Sequence, residues 1–458
     1  MDRLPEIVTD PDIIASYNQD ALGLKGNFSG LVRPSSEEEI VDLIRYASSR
    51  GIKITPQGQR TSLTGAAIAE EGLALSLEKM NRIIDIDTDS MRAIVEPGLI
   101  TGNLKEELAK IGLIYPPDPT SQNECTVGGN VATNASGSKS LRYGPTSEWV
   151  SWIRFVDGRG EVYEIGSVDA SKSSSGPRAF QRPLNLFVGS EGIFGVITKI
   201  GLKLTRAPLD SLVLVVYFRD LYKALDFVWD SVKRGQVPSS MEFMDEACIG
   251  IVKDVEGFYA PEGTRAIVTI EEELWDGGSE ERVLDNWFGL IGPYTDLGDE
   301  TVVLKTAKEK RNFANIRHRI PEALNEESNR VVEDGGIKIS TDWAVPPSKL
   351  REMVGYFERI RGLLGDMPVY WYGHIGNGHP HVNIIARDRR EREIGEQVEL
   401  LLAQKAVELG GVVSAEHGIG KLKKAQLRLM YPSCVLESLR AVKQLLDPKG
   451  ILAPGNLL

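Results

Sequence analysis

Two periodicities alternate along this chain, one of three to four residues and one of short apolar runs. Ser35-Ser36-Glu37-Glu38-Glu39 carries the hydroxyl and acidic residues that open helices, and Ile40, Leu43, Ile44 and Ala47 then recur on one helical face. Gly51 ends that helix, and Ile52-Lys53-Ile54 begins a strand. Apolar runs over 73–77 and 93–95 predict two more strands, with Glu96-Pro97-Gly98 as a turn, before a helix over 101–111 that aligns Leu104, Leu108 and Ile111. Runs over 152–155 and 161–165, joined by Asp157-Gly158-Arg159-Gly160, predict a hairpin. The Ser-rich stretch 167–179 predicts a mobile loop.

Arg206-Ala207-Pro208 marks a change of pattern. Beyond it, strand-like runs over 212–218 and 266–271 alternate with helical stretches over 221–234 and 281–291. Two strands per helix predict an antiparallel sheet with helices on one face, in the ferredoxin-like manner. Arg317 follows a basic helix, and residues 339–347 run extended into a helix over 348–364. Strands are expected over 368–372 and 382–385, then an amphipathic helix over 391–409 that Gly410-Gly411 stops. The fold class is therefore α+β.

The length of 458 residues suits two or three domains, and a 41% hydrophobic fraction supplies a core. A net charge of −12 argues against nucleic acid as a partner. An anionic substrate would need local Arg, Lys or metal to offset that field. Three cysteines, Cys125, Cys248 and Cys434, are too few and too dispersed for a disulfide framework or zinc ribbon, and read as reduced thiols of a cytosolic protein. The first residues lack the pattern of a signal peptide, and no stretch is long and apolar enough to span a bilayer. A cytoplasmic location is expected, with peripheral attachment to an inner membrane left open.

Four of the five histidines lie between residues 374 and 417. Gly373-His374-Ile375-Gly376-Asn377-Gly378-His379-Pro380-His381 joins the last two expected strands, and Ser414-Ala415-Glu416-His417-Gly418 follows the last expected helix. Imidazoles in a Gly-rich bend, with a carboxylate close in sequence, suit a divalent metal such as zinc, manganese or iron. Three further stretches are rich in glycine and small residues: 56–65, 115–137 and 188–198. Such loops let backbone amides approach a diphosphate or a flat ring. None is a Walker loop or a dinucleotide fingerprint.

Read together, Pro56-Gln57-Gly58-Gln59-Arg60-Thr61-Ser62, Pro116-Pro117-Asp118-Pro119 with Gly128-Gly129-Asn130-Val131-Ala132, and Gly189-Ser190-Glu191-Gly192 with Gly195-Val196-Ile197-Thr198 resemble the flavin domain of the vanillyl-alcohol-oxidase type, the PCMH fold. The second half resembles the C-terminal domain of FAD-linked 2-hydroxy-acid dehydrogenases: the cytochrome-type D-lactate, glycolate and D-2-hydroxyglutarate enzymes. Its most specific parts are residues 373–383, 414–420 and the terminal Leu446-Asp447-Pro448-Lys449-Gly450-Ile451-Leu452-Ala453-Pro454-Gly455. The resemblance implies a PCMH-type FAD domain of two α/β subdomains over 1–206. It also implies a ferredoxin-like substrate and metal domain over 207–430, and a segment over 431–458 that returns to the FAD domain.

FAD would then contact Pro56, Gln57, Gly58, Gln59, Arg60, Thr61, Ser62, Gly65, Pro117, Asp118, Thr126, Gly128, Gly129, Asn130, Asn134, Gly137, Tyr143, Gly144, Glu191, Gly192, Gly195, Val196 and Ile197. No histidine precedes His318, which excludes a histidyl link in this domain; a cysteinyl link at Cys125 stays open, and the flavin is expected to be noncovalent. His374, His381 and Glu416 would hold the metal, Arg317 and Asn383 the substrate, and His417 would be the base. Four departures from the usual pattern stand out. His379 replaces Asn, Asn377 replaces Asp, Ala453 replaces the Asn of the terminal Asn-Pro-Gly, and Lys338 is two residues displaced from a substrate lysine.

The implied reaction oxidises a D-2-hydroxy acid to its 2-keto acid. The metal eases loss of the hydroxyl proton to His417, Arg317 orients the carboxylate, and hydride goes to flavin N5. Ser340-Thr341-Asp342-Trp343-Ala344-Val345-Pro346 leans toward D-lactate, with glycolate and D-2-hydroxyglutarate as alternatives. Electrons would pass on to a quinone, a cytochrome or an electron-transfer flavoprotein, and a homodimer is compatible. Three other readings are open: a non-redox FAD enzyme resembling alkyl-dihydroxyacetone-phosphate synthase, a metal-dependent hydrolase, and a subunit that holds flavin structurally.

Overall fold

Ser36 accepts a hydrogen bond from the Glu39 amide and so caps the helix Glu37–Arg50, whose Ile40, Leu43, Ile44 and Ala47 are buried. Gly51 closes it in the left-handed conformation at φ 69°. In this computed structural model, residues 4–166, 174, 182–276 and 279–458 are described. The Ser-rich stretch 167–179 lies outside them apart from Ser174.

The chain forms two units. The first takes in Met1–Gly137, Gly144–Ala207 and Glu416–Leu458, the second Ser138–Tyr143 and Pro208–Ala415.

Two larger sheets carry the first unit. Strands Ile7–Val8, Gly30–Val32, Leu73–Ser76 and Ile54–Gln57 lie side by side in that order, the last three parallel. The helix Glu37–Arg50 supplies one crossover that parallel pairing needs. Strands Ile83–Asp87, Arg92–Val95, Val196–Lys203, Val150–Val156 and Val162–Gly166 form the other sheet, which is wholly antiparallel. The C-terminal stretch joins the first sheet's edge: the Ile54 amide donates to Ile451 O and the Ala453 amide to Ile54 O, both at 2.8 Å.

A seven-stranded antiparallel sheet forms the second unit. Its order is Val302–Leu304, Asp210–Phe218, Ala266–Leu274, Ser240–Asp245, Val369–His374, His379–Asp388, Gly335–Ser340. Here the expectation of helices on one face is corrected. Leu212, Leu214, Val216 and Phe218 pack with residues of the helices Leu221–Lys233, Leu350–Ile360 and Arg389–Glu408. Val215 and Tyr217 pack on the opposite face with the helices Glu246–Val252 and Ala307–Val331. The run Leu212-Val213-Leu214-Val215-Val216-Tyr217-Phe218 is apolar at every position, which is the signature of a strand buried on both faces rather than one.

Arg317 lies inside the 25-residue helix Ala307–Val331, not after it. Pro321, one turn later, has no N–H for the Arg317 carbonyl, so the ladder is interrupted beside this arginine.

Candidate functional site

In the first unit the three glycine-rich stretches pack closely against one another. A Cβ on Gly58 would fall 2.5 Å from Thr126 Oγ1, and one on Gly137 1.9 Å from Asp118 O. Gly128 is equally intolerant: its Cβ would lie 2.5 Å from Pro97. The amides of Gly189 and Glu191 donate to Val131 O and Ala132 O at 2.9 and 2.8 Å, which ties the third stretch to the second. Gly192 closes on Pro56, whose Cγ is 3.4 Å from the position of its missing Cβ. Arg60, Asn134 and Glu191 take φ of 58°, 52° and 49°, the left-handed region that non-glycine residues enter at a cost of order 1–3 kcal/mol.

Two polar atoms of the first stretch, Gln57 Oε1 and Arg60 Nη1, are buried without a hydrogen-bond partner among the described residues. Arg60 stacks over Tyr17 at 4.7 Å, and burial draws its pKa down. A half-buried cation with a buried donor, in a loop of close approaches, fits the diphosphate of a dinucleotide. Other residues of the predicted set serve the frame: Asn130 Nδ2 donates to Thr101 Oγ1 at 2.8 Å, and Lys105 Nζ lies 2.6 Å from Asp118 Oδ1. Gly195 lies against Phe155, and Val196 and Ile197 pair with Val156 and Phe155. Tyr143 belongs to the second unit, where its hydroxyl donates to Glu273.

Strand pairing in the second unit sets its polar groups in rows. Tyr372 pairs with His381, Tyr370 with Asn383, and Ser340 with Asn383 from the other side. Directly paired residues point to the same face of a sheet, so His381 and Asn383 share the face that holds Tyr372, Tyr370 and Ile385.

His374 Nδ1 donates to Glu242 Oε1 at 2.6 Å, and Arg317 Nη2 donates to the second oxygen of the same carboxylate. Glu242 is 2% exposed. Burial pushes its pKa up, but the charge of Arg317 and the hydrogen bonds that Glu242 accepts from His374 and Arg317 outweigh that and lower it. His381 Nδ1 lies 3.0 Å from Thr341 O. A carbonyl only accepts, so Nδ1 carries the proton and Nε2 the lone pair. The Glu242 carboxylate imposes the same tautomer on His374. Both rings are thus held as metal-ligating imidazoles usually are, with the outward nitrogen basic and the inner one bonded.

The second unit ends at Ala415, whose amide donates to Asp342 O at 2.8 Å. Glu416 is one peptide bond further on, so its place follows from that anchor and the chain. One ligand atom each of His374, His381 and Glu416 lie within 4.8 Å of one another. Ligands of a tetrahedral zinc stand roughly 3.4 Å apart for bonds of about 2.0–2.1 Å, so small side-chain rotations would close the set. Two His nitrogens and one carboxylate oxygen suit zinc, manganese or iron.

His379 lies behind this group. Its ring is 4.4 Å from that of His381, and Nε2 is 3.4 Å from Asp342 Oδ1. Asp342 Oδ2 accepts from Ser414 Oγ at 2.5 Å. Asn383 is fully buried, and its Oδ1 has no hydrogen-bond partner among the described residues. Lys338 Nζ reaches Asn325 Oδ1, and burial lowers its pKa.

Glu242 escapes sequence reading, although a signal exists. In Met241-Glu242-Phe243-Met244 a carboxylate stands among apolar residues in the middle of the strand Ser240–Asp245 and is buried. A buried carboxylate demands partners, and here they are Arg317 and His374.

His417 lies in the first unit, where its carbonyl accepts from Thr64 Oγ1 at 3.4 Å. Beside it the buried Glu191 accepts from the amides of Ile419 and Gly420, both at 2.7 Å. Burial pushes the Glu191 carboxyl up to about 7 against the pull of those amides and of Lys421 and Lys423.

Residues 28–166 match the family model described as an FAD binding domain, and residues 207–457 match that of the FAD linked oxidases, C-terminal domain. A D-lactate dehydrogenase of Anaerostipes hadrus is 31% identical over 98% of this chain and 94% of its own length. The glycolate oxidase subunit GlcD of Bacillus subtilis is 30% identical over 93% of this chain and 88% of its own. Among solved structures, a 4-ethylphenol oxidase from Gulosibacter chungangensis superposes with a TM-score of 0.72 at 17% identity, covering 98% of this chain and 94% of that one, a likeness of fold alone. The paired domain matches and full-length relatives place this chain in the FAD-linked 2-hydroxy-acid dehydrogenase and oxidase family, as an FAD-binding oxidoreductase.

Proposed function

We propose that the protein oxidises a D-2-hydroxy acid, D-lactate first, to the 2-keto acid, with the first unit holding FAD noncovalently and the second unit the substrate. The carrying observation is the group His374, His381 and Glu416, with both imidazoles held at Nδ1. When bound, FAD supplies a two-electron acceptor, and a divalent ion on those three residues supplies Lewis acidity.

The chain's own residues then divide the remaining work. His417 takes the hydroxyl proton, because a neutral imidazole has its pKa near the working pH. Arg317 keeps one nitrogen on Glu242, and its remaining N–H groups bind the carboxylate. The amide of Asn383 contributes a buried polar contact to substrate. Burial excludes water from the imidazoles, which lie at 8% exposure for His374 and 9% for His381. D-lactate is favoured by the 31% identical relative of that name and by the stretch Ser340–Pro346. Reoxidation would fall to a quinone, a cytochrome or an electron-transfer flavoprotein. No described helix is long and apolar enough to cross a membrane.

The test is anaerobic mixing of the purified, FAD-loaded protein with D- and L-2-hydroxy acids while flavin absorbance is followed. Rapid bleaching by D-lactate with no response to L-lactate supports the reading. Faster bleaching by glycolate or D-2-hydroxyglutarate would replace the substrate. No bleaching by any acid would remove the function.

A further inference from the structure

Around His417 the chain folds in a way that hydrogen-bonding needs explain only in part. Residues 416–420 run Glu-His-Gly-Ile-Gly, and Gly418 and Gly420 take φ of 79° and 53°. Space is as restrictive as conformation. A Cβ on Gly418 would lie 2.6 Å from Glu191 Oε1, and one on Gly420 2.1 Å from Thr64 O. The turn is wrapped directly around one carboxylate and one carbonyl.

That carboxylate is buried, its residue only 6% exposed. Its two oxygens are divided between two consecutive amides, Oε1 on Ile419 and Oε2 on Gly420. The Glu191 backbone is held as well. Its amide donates to Ala132 O at 2.8 Å, and its carbonyl accepts from Asn456 Nδ2 at 3.0 Å. Its φ of 49° is strained for a residue with a side chain, so a glycine would relieve the backbone and lose the carboxylate. Thr64 closes the other side: Oγ1 donates to the His417 carbonyl at 3.4 Å, and its own carbonyl accepts from the Lys421 amide at 2.9 Å.

We propose that Glu191, from within the first unit, is a positioning residue for His417, gripping the amides two and three residues downstream so that the imidazole is presented in one orientation. Glu191 acts through the backbone and touches neither substrate nor reacting atoms. The inference rests on His417 being the base. Both carboxylate oxygens face residues of the His417 turn, which distinguishes this role from a direct grip on the flavin.

The experiment compares Glu191→Gln with the parent as FAD-loaded holoenzymes. Glutamine keeps the volume and one acceptor but turns an NH2 group toward the second amide. The readouts are flavin content, melting temperature, and the limiting rate and substrate dependence of flavin bleaching by D-lactate in stopped flow. The expected result is a fall of roughly 10- to 100-fold in the limiting rate per bound flavin, the size expected for an ångström-scale misplacement of a reacting group. Apparent substrate affinity changes less than threefold, and flavin content is retained. An unchanged limiting rate per bound flavin, with only melting temperature lowered, overturns the inference and makes Glu191 structural.

Where Glu191→Gln does not accumulate as folded protein, Gly418→Ala replaces it. That change presses the same contact from the other side with the carboxylate intact, and a parent-like limiting rate there also overturns the inference. A parent holoenzyme that no 2-hydroxy acid bleaches removes the proposed function itself, and this inference with it.

Discussion

The two units build their sites from opposite materials. In the first, glycines make the close approaches: a single added carbon on Gly58, Gly128 or Gly137 would meet Thr126 Oγ1, the Pro97 ring or the Asp118 carbonyl at 2.5, 2.5 and 1.9 Å. In the second, the functional groups are side chains on neighbouring strands, and each histidine is aimed by a partner, Glu242 for His374 and the Thr341 carbonyl for His381. A site of backbone amides suits a large cofactor that is held throughout turnover. A site of partnered side chains suits a small substrate and a metal, where a few tenths of an ångström and one proton decide the chemistry. One expectation follows for mutagenesis. The glycine loops of the first unit should fail all or nothing, and the partnered side chains should fail by degrees.

Gly137→Val is the most severe test of that contrast. Its Cβ would clash with the Asp118 carbonyl, so the protein should lose flavin and with it all redox activity. Absorbance of the purified variant after addition of FAD checks this, and a normally loaded variant would break the contrast at its base.

Next in size are the histidines. His374→Ala and His381→Ala should each lose metal while keeping flavin, read by elemental analysis beside the visible spectrum. Treatment with a chelator should do the same to the parent. His417→Asn should keep both and slow flavin reduction by roughly 10²–10⁴-fold, the usual worth of a general base. His379→Ala should cost less metal than either ligand, since His379 is not part of the three-residue group.

Glu242→Gln sharpens the comparison because it leaves every proposed ligand in place. The amide of glutamine holds the His374 ring less firmly and leaves Arg317 without its counter-charge. Metal affinity, measured by competition with a chromogenic chelator, should fall roughly 10- to 100-fold. Unaltered affinity would mean that His374 needs no such partner.

The smallest effect on activity concerns Asp245, which caps the helix Glu246–Val252 and also accepts from the Trp371 amide at 3.1 Å. Burial pushes its carboxyl up to about 6, against the pull of the Cys248 and Trp371 amides. An acid raised on folding binds more protons folded than unfolded. Its contribution to stability is therefore greatest below the unfolded value near 4, and diminishes as pH rises to about 6. Asp245→Asn should remove that slope, worth on the order of 3 kcal/mol, while still capping the helix. Urea unfolding at pH 4, 5 and 6.5 distinguishes the two slopes, and parallel curves would sink the assignment.

Much of this molecule was legible in its residues, and the reason differs between the units. Glycine loops announce themselves because no other residue tolerates the close approaches they make. Histidines announce themselves because so few are present. Helix ends such as Ser36 and Gly51 are local matters of capping and handedness, which neighbours in sequence settle. Both-face burial of the strand over 212–218 was visible in its unbroken apolar run, yet the count of helices and strands alone pointed to one covered face.

What only tertiary structure decided is partnership. Glu242 and His374 are 132 residues apart, and Glu191 and Ile419 are 228 apart. Nothing in a local stretch says which of 65 acidic residues will be buried, or against which amide or imidazole. Hydrophobic pattern sets the faces of strands and helices through burial, a property each residue carries with it. The meeting of two polar groups depends on strand order and register, which are set by the packing of the whole sheet.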